Sequence, residues 1–210
     1  MNKQTFEKSA DIKQRKENYE WLRLWCEDTH KDMPRVAMIG DSIVEQVYEV
    51  VKRELKGIAI VDYLATSYAI TSPAYIGMVE KFVEDSDYAV VYYNYGLHAS
   101  NITIEDYTRV YKQMVTKFLT SSKVLLGSTT VVHKQDERDV ELENFFVYVR
   151  ERNEAVKMLA DELGLTLDEA FEISVEMGSD GKSEDGAHFN QKGIERLGVY
   201  KAEQIKKILQ

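Results

Sequence analysis

The chain has 210 residues, of which 44% are hydrophobic and 30% charged, the size and balance of one globular domain able to bury a real core. Its 27 basic and 36 acidic residues leave a net charge of -9, a field that repels polyanions and, with no basic patch in view, argues against nucleic acid as a partner. The N-terminal residues lack an apolar signal core, no apolar run is long enough to span a bilayer, and a lone cysteine, Cys26, excludes internal disulfides and cysteine-based zinc, so a cytoplasmic protein with no membrane partner is expected.

Residues 17–28 carry an amphipathic pattern that predicts a helix covering one face of the core, within a helical extension over about residues 1–33. The first strand, Arg35 to Ile39, ends at Gly40, Asp41 and Ser42, after which IVEQVYEVVKREL shows helical periodicity and stops at Gly57. IAIVDYL is a second strand, followed by a turn rich in Ser and Thr and a helix opening at Ser72-Pro73, where proline fits the first turn. A third strand, YAVVYYNY, runs into Gly96-Leu97-His98. Thr103 with Asp106 three residues on opens a helix through Phe118. KVLLGST is a fourth strand, residues 131–143 form a polar excursion, residues 144–163 form a long helix, and Leu165 to Leu167 make a short fifth strand. A polar loop then precedes a last helix starting near Gln191.

Strands separated by helices of this length imply a parallel sheet of about five strands covered on both faces, a single α/β domain. Ligands gather at the carboxyl ends of such strands. Ser42, the Gly96 to His98 turn and the segment from Thr129 to His133 therefore share one rim.

Asp185-Gly186-Ala187-His188 lies in the polar loop before the last helix. A carboxylate three residues before a histidine can hold one imidazole nitrogen and leave the other to act as a base toward a serine. Ser42 is the natural partner, because it stands at the first strand-to-helix turn, near helix amides that favour a developing oxyanion. Plainer readings stand beside this one. Asp41 and Ser42 are both good helix N-caps, Asp185-Gly186 is an ordinary turn pair, and Asp185 or His188 can simply brace the last helix. The conjunction of the two motifs is harder to obtain from capping alone.

Gly40-Asp41-Ser42 and Asp185-Gly186-Ala187-His188-Phe189 resemble the first and last signature blocks of the SGNH, or GDSL-type, hydrolases, and the resemblance spans about residues 35–205. It implies a flavodoxin-like three-layer α/β/α sandwich, with Ser42 as nucleophile, His188 as general base and acid, and Asp185 as its orienting partner. It further implies a serine-dependent hydrolase of carboxylic esters, short-chain or acetyl and on a carbohydrate in one version, with a small-molecule ester as partner and no cofactor or metal. The third block of that family reads Gly-x-Asn-Asp. Here Gly96-Leu97-His98-Ala99 puts His98 at the oxyanion donor's position, with an imidazole N–H available to donate, and is similar to a Gly-Leu-His branch of the family. The glycine of the second block has no counterpart in residues 65–72, where Ala69 is the best match for a backbone donor. With Gly96 and Asp41, these complete the oxyanion and substrate-binding candidates. The departures leave open a non-catalytic binding module on the same fold, and the triad serves acyl transfer as well as hydrolysis.

Other motifs fail on inspection. Gly181-Lys182-Ser183 imitates the end of a phosphate loop, but Glu176 occupies the place of its first glycine, and neither GxGxxG nor Gly-x-Ser-x-Gly is present. His133 is read as a solvated loop residue and His30 as remote. The acidic cluster Asp136, Glu137, Asp139, Glu141 and Glu143 is read as a solvated loop rather than a metal site. Tyr88, Tyr92, Tyr93 and Tyr95 are read as sheet residues, with Tyr95 alone placed to meet substrate.

Overall fold

The computed structural model describes residues 19–28, 32–99, 101–132 and 140–210. In chain order the elements are β1 (Leu22–Trp25), β2 (Arg35–Gly40), α1 (Ser42–Glu54), β3 (Ile60–Thr66), α2 (Pro73–Glu84), β4 (Tyr88–Tyr93), α3 (Ile104–Phe118), β5 (Lys123–Leu126), α4 (Val140–Leu163), β6 (Thr166–Leu167), α5 (Ala170–Met177) and α6 (Gln191–Leu209). The six strands form one sheet in the order β1-β3-β2-β4-β5-β6. All neighbours are parallel except β1 and β3.

Each central strand is buried on both faces, so its residues alternate between two cores. Ala37 and Ile39 of β2, with Val91 and Tyr93 of β4, pack against Tyr75 and Val79 of α2, Tyr111 and Met114 of α3 and Leu159 of α4. Val36, Met38, Val90 and Tyr92 face the opposite way, against Val44 and Val47 of α1, Ala170 of α5 and Leu197 of α6. The result is the expected α/β/α sandwich, with five parallel strands and one antiparallel strand added at the edge.

That added strand corrects one expectation. Residues Leu22–Trp25 form no helix; they pair antiparallel with β3, Leu22 opposite Thr66 and Trp25 opposite Tyr63. Their apolar side chains cover no core, since Leu24 and Trp25 are about half exposed (50% and 54%). Backbone pairing to an otherwise open sheet edge replaces the buried face that helical periodicity called for. The rest of the expected extension, residues 1–18 and 29–31, lies outside the described residues, as does His30.

Local signals elsewhere hold: Ser72 caps α2 with Pro73 at its first position, Thr103 caps α3 by accepting the Asp106 amide at 3.2 Å, and α6 starts at Gln191 as expected, behind an Asn190 cap that the sequence analysis does not single out. The long helix begins earlier than expected, at Val140 rather than residue 144, so Glu141 and Glu143 fall in its first turn. His133, Asp136, Glu137 and Asp139 lie outside the described residues. Helix α5 had no counterpart in the sequence reading.

Candidate active site

Two polypeptide segments far apart in sequence meet at the rim. After β2 the chain continues to β3 on one side, while β4 lies on the other, which makes the carboxyl end of β2 the point where strand order reverses and a crevice opens. Gly40 ends β2 there because nothing larger fits. A Cβ at this position would lie 2.4 Å from Val44 Cγ2 and 2.6 Å from the Asn94 carbonyl oxygen.

Asp41 caps α1, its Oδ1 accepting the Ile43 amide at 3.0 Å, and Ser42 takes the first helical position, half-buried. From the opposite end of the chain, His188 brings Nε2 within 2.8 Å of Ser42 Oγ, while its Nδ1 lies 2.5 Å from Asp185 Oδ2. The other Asp185 oxygen accepts the amides of Ala187 and His188, at 3.0 and 2.9 Å, so the loop folds back on its own carboxylate. Burial raises the Asp185 carboxyl, but the hydrogen bonds from the His188 ring and amide and the Ala187 amide outweigh it and hold the group below its ordinary value. The three residues singled out from sequence are therefore in one hydrogen-bonded line.

Support for that line comes from Gln46, which the sequence analysis does not mention, and from Lys182, which it sets aside with the phosphate-loop look-alike. Gln46, one helical turn beyond Ser42, donates to the Phe189 carbonyl at 3.3 Å and accepts the Phe189 amide at 3.2 Å. The nucleophile's helix thus carries the histidine's neighbour on the same face, a relation the four-residue spacing offers. Beneath the loop, Lys182 pairs with Phe189 in a short bridge, donates Nζ to the Ala187 carbonyl at 2.8 Å, and sits 3.6 Å from the Phe189 ring centroid. Burial pushes its pKa down to about 7, against the pull of the Asp185 charge.

The remaining candidates form a second turn behind Ser42. Asp41, fully buried, offers its other carboxylate oxygen to the Leu97 amide at 3.4 Å, so it acts as a brace between turns rather than a surface facing substrate. Gly96 permits close approach to Thr129, whose Oγ1 would lie 1.8 Å from any Cβ. The His98 ring packs against Trp21 in an edge contact with centroids 6.0 Å apart and against Tyr95 at 6.4 Å. Its carbonyl accepts Tyr148 Oη at 2.6 Å and Arg152 Nη1 at 2.8 Å. Ala69 is buried at the base of the turn after β3, and its carbonyl accepts the Ser72 amide at 2.8 Å. Tyr95 is fully buried and donates its hydroxyl to the Tyr68 carbonyl, so it links the two turns instead of meeting substrate. Trp21 arrives only through the edge strand: its carbonyl accepts the Ser67 amide and Thr66 Oγ1, and its own amide donates to Ser67 Oγ.

Among solved structures the chain is similar to a member of the lipolytic G-D-S-L family from Veillonella parvula, with a TM-score of 0.65 at 17% identity over 82% of this chain and 98% of that one. The chain has the SGNH-hydrolase fold. The same SGNH-hydrolase fold is shared with a carbohydrate acetylesterase from Sinorhizobium meliloti (TM-score 0.63, 16% identity, 83% and 99% coverage). It is also shared with the C-terminal catalytic domain of peptidoglycan O-acetyltransferase A from Streptococcus pneumoniae (0.62, 18%, 84% and 93%). No family model matches the sequence, nor does any curated protein. No helix among the described residues is long and apolar enough to cross a membrane.

Proposed function

We propose that this chain is a serine-dependent carboxylic ester hydrolase acting on short-chain or acetyl esters. The observation that carries the reading is the line from Asp185 through His188 to Ser42, with contacts of 2.5 and 2.8 Å. Asp185 orients the ring and compensates the charge it acquires. His188 Nε2 takes the Ser42 hydroxyl proton as Oγ attacks the ester carbonyl, and then gives that proton to the departing alcohol. The acyl group stays on Oγ until water, deprotonated by the same nitrogen, releases it as the acid. During both steps negative charge builds on the former carbonyl oxygen. The Ser42 amide at the start of α1, the amide at Ala69 and the His98 side chain are our candidates to receive it. A neutral small-molecule ester, with its acetyl group on a carbohydrate, is the substrate class favoured by the likeness to a carbohydrate acetylesterase. The exposed, unbridged Cys26 is in keeping with a cytoplasmic setting.

Transfer of the acyl group to an alcohol acceptor is the second reading, favoured by the likeness to the O-acetyltransferase domain, and it uses the same residues with a different group entering at deacylation. A panel of short and long acyl esters, run on the native protein and on Ser42→Ala with and without sugar acceptors, tests both. Hydrolysis lost in Ser42→Ala supports the esterase, and acyl-sugar formation exceeding hydrolysis supports transfer. Ligand binding with no turnover in the native protein would leave a binding module and overturn both.

A further inference from the structure

We propose that Arg152 is the positioning residue of the turn formed by Gly96, Leu97, His98 and Ala99, holding its carbonyls on one side and so keeping the Leu97 amide on Asp41, the residue beside Ser42. The inference deepens the esterase reading above and rests on it for its kinetic consequence.

Arg152, on α4, is 1% exposed. Its guanidinium donates from Nη1 to the Gly96 carbonyl at 3.3 Å and the His98 carbonyl at 2.8 Å, and from Nη2 to the Ala99 carbonyl at 2.8 Å. Two rings flank it, Tyr148 at 3.9 Å and Tyr107 at 4.3 Å from Cζ. Both tyrosines serve the same stretch of chain: Tyr148 Oη donates to the His98 carbonyl and Tyr107 Oη to the Tyr95 carbonyl, each at 2.6 Å. The charge is thus met by peptide dipoles and ring faces, and a planar fork of five donors suits three carbonyls as a lysine's single ammonium does not.

Covalent geometry carries the consequence. No peptide bond among the described residues is cis, and in a trans peptide the carbonyl and the N–H point in opposite directions. With the Gly96 carbonyl on Arg152, the Leu97 N–H must point away, and it does so toward Asp41, the cap of the helix that begins with Ser42. The peptide joining His98 to Ala99 is reversed in the same way. Ala99 has a φ of +56°, a left-handed conformation that L side chains avoid, and its carbonyl is one of the three that Arg152 holds. Arg152 therefore stands behind the turn and fixes the Leu97 amide on Asp41, which sets the spacing between the turn of His98 and the turn of Ser42 on which the transition-state geometry depends.

The test uses Arg152→Ala and Arg152→Lys in the full chain, with a short acetyl ester as substrate. We expect kcat to fall about a hundredfold in Arg152→Ala with KM nearly unchanged, and less in Arg152→Lys. Millimolar methylguanidine, filling the slot between Tyr107 and Tyr148, is expected to restore part of the lost kcat. Hydrogen exchange at the Leu97 amide reads the turn independently of activity. It should quicken at least tenfold in either folded variant while amides of β4 hold their native rates. Unchanged exchange at Leu97 overturns the proposal whatever the enzyme does, as does a folded variant with native kcat. If Ser42→Ala leaves ester turnover intact, the esterase reading fails, and the exchange result still decides the role of Arg152 in the turn.

Discussion

The carboxylate of Asp41 holds the Ile43 amide with one oxygen and the Leu97 amide with the other, so a single buried side chain ties the turn of the nucleophile to the turn of His98. The site is built less from the three reacting residues than from such ties, each of which removes a degree of freedom between segments distant in the chain. Gln46 does the same for the histidine loop, and Tyr95 for the turn after β3. Rates of acyl transfer depend steeply on this geometry, because a displacement of about 1 Å can cost two orders of magnitude.

Asp41→Asn keeps an oxygen for the cap but turns an NH2 toward the Leu97 amide. We expect stability to fall by roughly 1–3 kcal/mol, because two buried donors then face each other, and kcat to fall roughly tenfold or more, whereas Asp41→Ala loses in addition about 1–2 kcal/mol with the cap. Urea unfolding together with ester kinetics checks both; native kcat in Asp41→Asn would show that the tie to Leu97 is idle.

Gln46→Leu removes both bonds to Phe189 and leaves a main-chain donor and acceptor without their partner, at a cost of roughly 1–3 kcal/mol. Turnover is expected to fall, since His188 is the next residue. Gln46→Glu retains the acceptor for the Phe189 amide and should lie between the native protein and Gln46→Leu in kcat, an order that a structural role elsewhere would not produce.

The pH dependence separates activity from stability. Asp185 titrates below its ordinary value, so its contribution to the fold is present above about pH 4 and is lost as pH falls through the lowered value. The base role of His188 requires an unprotonated Nε2, so kcat/KM is expected to rise with pH from the acid side toward neutrality. A rate flat across that range would remove His188 as the base.

Lys182 carries the same sign at higher pH. Its value is depressed from 10.5 to about 7 by burial, so the unfolded chain binds the extra proton between those limits and native stability gains as pH rises through them. Lys182→Met lacks this term. Unfolding of both proteins at pH values near 6 and near 10 should show the native protein gaining on the variant with rising pH; parallel curves would mean that the ammonium is solvated and the loop open.

Much of the fold was legible because the signals were local. Ser72-Pro73 and Thr103 with Asp106 mark helix starts through bonds made within three residues, and the strands announced themselves as short apolar runs between turns. The edge strand escaped because its four residues are all exposed, so no pattern of burial is written into them and their pairing with β3 supplies the only reason for their shape. Arg152 and Tyr148 escaped for a related reason. On a helix rich in charge an arginine reads as solvent-facing, and only the approach of the 96–99 turn buries it.

By itself, then, the sequence determined which chemical groups stand at the ends of which elements: a hydroxyl on the first residue of α1, an imidazole and a carboxylate in the loop before α6. Tertiary structure decided that these groups touch. Ser42 and His188 are 146 positions apart, and no local preference reaches that far. Their contact follows from the reversal of strand order at β2, from the packing of α6 on α1, and from the bonds of Gln46 and Asp41 that lock neighbouring turns at hydrogen-bonding distance.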